Sequence, residues 1–118
     1  VLLIKLTCFD EPEYLIFRQN RPVARWSATE AWENFILALL ERLDLKVEAV
    51  DATPTVTSFA EAAGEEEEWE TEALLAAVLE VFGPEALGRP LSPTHALAIR
   101  HSGLPLVGTE SAWLRYRS

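Results

Sequence analysis

A chain of 118 residues, 49% of them apolar, has the length and composition of one packed domain that needs no metal or disulfide to hold its core. Its formal charge of −9 repels phosphate, so no nucleic-acid partner is expected. No apolar run approaches the roughly 20 residues that span a bilayer, so no membrane partner is expected either.

The charge is segregated. Between Glu61 and Glu85 lie nine acids and no Lys or Arg, while the remaining ten acids match the ten bases. A field of that kind attracts cations or a basic protein surface. One cysteine, Cys8, rules out an intramolecular disulfide or a Cys-based zinc site within the chain. With no basic leader region and no cleavage pattern at the start, a cytoplasmic location is expected. Eight Arg against two Lys, with abundant Ala, Leu, Glu and Pro, suggests a GC-rich, thermophilic bacterial source.

In chain order, residues 1–8 alternate and predict a strand, followed by a turn cluster at Asp10-Glu11-Pro12-Glu13. Residues 14–19 and 22–27 predict two more strands, joined by a tight loop, Gln19-Asn20-Arg21, in which Asn20 is suited to positive φ. Tyr14, Ile16 and Arg18 share one face, and Leu15 and Phe17 the other. Ser27-Ala28-Thr29-Glu30 forms a capping box for a helix that ends near Asp44. Its apolar stripe is Trp32, Phe35, Ile36, Leu39, Leu40 and Leu43, at helical spacing.

Residues 45–50 alternate as a fourth strand, which Thr53-Pro54-Thr55 breaks. Ser58 to Glu61 forms another capping box, with Gly64 limiting it to about one turn. A second amphipathic helix follows the acidic run, with Leu74, Leu75, Val78, Leu79 and Phe82 on its apolar face and Gly83-Pro84 as its stop. Residues 84–94 form a proline-rich loop. Residues 96–102 and 104–109 read as a second hairpin around Gly103, the alternative being a short helix with Ser92 as N-cap and Pro93 in its first position. The tail from Ala112 to Arg117 alternates as an edge strand.

The expected fold is a single α+β domain over residues 1–118, with a mostly antiparallel sheet of five to six strands and two main amphipathic helices packed on one face. Around residues 70–109, the helix and the hairpin after it resemble part of a roadblock-type α/β scaffold domain, without a diagnostic motif.

No chelating pattern is present. The consecutive residues Glu65, Glu66, Glu67 and Glu68 would point in different directions on a helix, and they read as a helix start favoured by the macrodipole. On one strand, His95 and His101 would lie roughly 20 Å apart, too far to share a metal. No metal or cofactor is therefore expected. Asp10 and Glu11 beside Cys8 disfavour its thiolate, and no nucleophile elbow or phosphate loop occurs, so no catalytic residue is assigned.

Arg18, Arg21, Arg25, Arg115 and Arg117 are interleaved with aromatic residues, but the acidic balance favours pairing them with the glutamate run over RNA stacking. Trp69 and Trp113 sit in charged surroundings, as interface anchors do. The candidate interface is thus Glu65, Glu66, Glu67, Glu68, Trp69, Trp113, Arg115 and Arg117. The expected function is a small non-catalytic interaction or regulatory module that self-associates or meets another protein through a basic surface. One alternative is a small enzyme or ligand-binding domain using His95 or His101 with a carboxylate such as Asp10 or Asp51. Another is an acidic mimic that binds a basic partner.

Overall fold

Three β-rich segments at the start of the chain pair as a meander in the computed structural model, which describes residues 1–7, 11–27, 31–64 and 69–106. The chain divides into two compact units, residues 1–53 and 54–118.

The first unit holds β1 (Leu2–Leu6), β2 (Glu13–Arg18), β3 (Arg21–Ser27), α1 (Ala31–Arg42) and β4 (Glu48–Asp51). The sheet order is β3-β2-β1-β4; β2 runs antiparallel to both neighbours and β4 parallel to β1. Gln19 and Asn20, at φ 53° and 62°, make the two-residue turn between β2 and β3. Positive φ at both central positions matches the right-handed twist of the flanking strands. A parallel strand needs a crossover, and α1 supplies it before β4. Ile4 opposes Leu15 on one sheet face, and Leu3 opposes Ile16 on the other. Leu3, Ile4, Leu6, Tyr14, Leu15 and Phe17 are all buried, so the two central strands are buried on both faces.

The second unit is helical: α2 (Thr53–Ala63, starting at the last residue of the first unit), α3 (Thr71–Phe82), a 3-10 turn at Pro84–Ala86, and α4 (Pro93–His101). In α3 every residue from Ala73 to Leu79 is buried, the mark of a helix enclosed on all sides. Phe59, Leu87, Leu91, Ile99 and Leu104 complete the unit's core. Beyond α4 the chain returns to the start of α3, where the Glu70 N–H donates to the Leu106 carbonyl at 2.8 Å.

The α+β class is as expected, but the described residues hold a sheet of four strands, not five to six, and four α-helices, among which two main ones are not set apart. The strand does end before Thr53-Pro54-Thr55, but these residues begin a helix that was not expected to start there. Pro54 occupies the first turn of α2, where its missing N–H would have no partner anyway, and the Asp51 carboxylate accepts from the Thr53 N–H at 3.0 Å. Ser58 caps nothing: it lies mid-helix and donates to the Thr55 carbonyl. Residues 93–101 are a helix, not half of a hairpin. Ser92 Oγ accepts from the His95 N–H at 3.2 Å, Pro93 fills the first position, and Gly103, at φ 80°, follows the C-cap. That helix removes the hairpin on which the roadblock resemblance rested. β4 begins at Glu48 rather than Leu45, after Asp44 reverses the chain at φ 57°. The first capping box, beyond Ser27, and the tail strand lie outside the described residues.

Candidate functional site

Among the described residues, a run of exposed apolar side chains follows one flank of α1 and the residue just after it. Phe35, Leu39 and Leu43 are 57%, 46% and 61% exposed, and Val23 on β3 is 63% exposed. At about 100° per residue, Glu33, Ile36, Leu37 and Leu40 form one sector of the helix, and Phe35, Leu39 and Leu43 a neighbouring one about 110° round. The first sector turns to the sheet: Glu33 accepts from Lys5 Nζ at 3.4 Å, and all four side chains are half-buried. The apolar stripe legible in the sequence is therefore rolled, with Ile36 and Leu40 toward the sheet and Phe35, Leu39 and Leu43 toward solvent. Leu39, expected at the centre of the packed stripe, is on the open flank.

Neither sheet edge offers itself to strand addition. On β3, Pro22 has no N–H to donate, Arg25 is exposed, and a register shift interrupts pairing at Ile16/Phe17. β4 is four residues long and carries Glu48 and Asp51. Short, charged, proline-bearing edges of this kind resist edge-to-edge pairing.

By connectivity, α1 runs back from the Ser27 end of β3 toward the end where β4 begins, so its C-terminal turn and the β2–β3 turn share one end of the sheet. Arg18 and Arg21 flank that turn, and their guanidinium groups form no ion pair among the described residues. Arg25 pairs with Glu13.

The second unit carries a groove of about 270 Å³ between the end of α3, the loop after it and the start of α4. Phe82 and Leu91 form its apolar wall, and Glu85, Arg89 and His95 its polar side. His95 is held twice: its Nδ1 accepts from the Ser92 N–H at 3.4 Å, and its ring meets Phe82 edge-on at 5.1 Å. A smaller cavity of about 230 Å³ in the first unit is lined by the Lys5–Glu33 pair and Asp51, whose carboxylate is engaged by Thr53.

Among the candidate interface residues, only Trp69 is described. It is half-buried, with its ring edge-on to Phe59 at 5.2 Å, so it contributes to the packing of the second unit. Glu65, Glu66, Glu67, Glu68, Trp113, Arg115 and Arg117 lie outside the described residues, as does Asp10. His95 and His101 share α4 rather than a strand, about 9 Å apart along its axis and on different sides. The carboxylate lining the same groove as His95 is Glu85. The sequence marks Glu85 only as one of nine acids and Arg89 not at all; their single local cue is the loop-setting residues around them, Gly83-Pro84, Gly88 and Pro90.

Among the described residues there is no group of three or more His, Cys, Asp or Glu able to hold a metal ion, and no helix long and apolar enough to cross a membrane. No protein-family model matches this chain, and no curated protein or solved structure matches it.

Proposed function

We propose that this protein is a non-catalytic interaction module that self-associates through the exposed flank of α1. The observation that carries this reading is the run Phe35, Leu39, Leu43, three large apolar side chains at i, i+4 and i+8, each about half exposed or more. Contiguous exposed apolar surface on a small domain marks an interaction site.

The occupant is a second copy of the same chain. A two-fold axis near Leu39 would set Leu39 against its own copy and Phe35 against Leu43 of the second copy, an isologous contact with the exposed Arg42 at its margin. Electrostatics point the same way. The chain carries both an acidic segment without a base, Glu61 to Glu85, and a hairpin turn flanked by Arg18 and Arg21, which have no ion-pair partner among the described residues. Across a subunit boundary these two oppositely charged segments would attract each other.

A salt series tests this. Exposed pairs are screened over about 8–10 Å at physiological ionic strength, whereas apolar burial is not. A dimer that loosens as salt rises, with Glu65–Glu68 changed to Gln reproducing the high-salt behaviour at low salt, is expected. Association that is indifferent to both would refute the electrostatic part.

A further inference from the structure

The geometry of the groove in the second unit points to a separate site, and we propose that it binds a small zwitterion of the α-amino-acid type. Three features define the ligand. The first is size. About 270 Å³ lies just below the range of about 300–1,000 Å³ usual for drug-sized and cofactor ligands, and it suits a molecule of amino-acid dimensions.

The second is charge. Glu85 and Arg89 line the same groove, yet they form no ion pair with each other or with any other described residue. A simple anion would meet Arg89 but be opposed by Glu85, and a simple cation the reverse. A ligand with a carboxylate at one end and an ammonium at the other satisfies both. Because His95 Nδ1 is engaged as an acceptor from Ser92, the neutral ring carries its proton on Nε2. That gives the carboxylate a second donor beside the fork-shaped guanidinium. Phe82 and Leu91 provide an apolar wall for the ligand's side chain.

The third is preorganisation. The loop bearing Arg89 is tied to α2 at three backbone atoms. Thr55 Oγ1 accepts from the Gly88 N–H at 3.0 Å and donates to the Arg89 carbonyl at 2.9 Å, while Ser58 Oγ accepts from the Leu91 N–H at 2.6 Å. A loop fixed on both sides of its charged residue leaves only that side chain, not the backbone, to be ordered on binding.

The test is a titration of the full chain, read on the amide signals of Gly88, Arg89, Leu91 and His95, with three probes: L-leucine, leucinamide and N-acetyl-L-leucine. Leucine should shift these signals saturably. Leucinamide, without the carboxylate, and the acetyl derivative, without the ammonium, should each bind about tenfold or more weaker. Arg89→Gln and Glu85→Gln, both at exposed positions, should each weaken leucine binding by a similar factor while leaving the melting temperature unchanged. Equal binding of leucine and its acetyl derivative would make this a plain carboxylate site and overturn the proposal. So would an absence of binding by leucine at millimolar concentration, or leucine binding that survives both substitutions.

Discussion

Thr55 is fully buried, and replacing it with Val tests whether its hydroxyl holds the loop of the second unit. The shape is nearly conserved, so the cost comes from two backbone groups that lose their partner, the Gly88 N–H and the Arg89 carbonyl. An unsatisfied buried group costs about 1–3 kcal/mol. Gly88 is half-buried and Arg89 exposed, so water compensates in part and the low end applies to each, giving about 2 kcal/mol in all. For a domain of this size that is a fall of roughly 8 °C in melting temperature. Amide exchange gives a sharper reading. The Gly88 N–H should exchange roughly 30-fold faster in Thr55→Val, the factor that corresponds to about 2 kcal/mol. Thr55→Ser, which keeps the hydroxyl, should preserve that protection although it loses a methyl group. A Thr55→Val protein with unchanged melting and unchanged Gly88 exchange would refute the role assigned to the hydroxyl.

Leu79, 4% exposed on α3, should cost about 2–5 kcal/mol when cut to Ala, measured by denaturant unfolding. Leu39→Ala, at low protein concentration where the chain is monomeric, should change stability by no more than about 0.5 kcal/mol, because the side chain is half exposed. Gly83 holds φ 87° and ψ 176°, a region open essentially to Gly alone, and an added Cβ would lie 2.9 Å from Glu85 Oε2. Gly83→Ala should therefore destabilise by about 1–3 kcal/mol in the same measurement.

The meander was legible because period-two alternation and a turn at Asn20, between β2 and β3, are local signals. The existence of α1 was equally legible, but not its rotation. Its stripe is broader than the surface it packs on, and the Lys5–Glu33 pair favours the sector that meets the sheet. Period alone cannot choose between neighbouring sectors of a wide apolar face. α2 was obscured by Pro54, which reads as a breaker unless the helix is known to start one residue earlier. For residues 93–101 two local readings competed, and the Ser92–His95 capping box, with Pro93 at the first position, belongs to the helix. The groove was not legible at all. It depends on Thr55 and Ser58 reaching across more than thirty positions to the loop at Gly88–Leu91, a pairing that no local pattern encodes.

Sedimentation velocity of the wild-type chain and of Leu39→Glu, each at low and high salt, bears most directly on self-association through α1. A charge placed at the centre of the flank faces its own copy across the proposed two-fold axis, so the substitution should abolish the contact while leaving each copy folded, as circular dichroism would report. The expected result is a wild-type dimer that loosens with salt and a Leu39→Glu monomer at both concentrations. A wild-type monomer at every salt concentration, or a Leu39→Glu dimer as tight as the wild type, would contradict it.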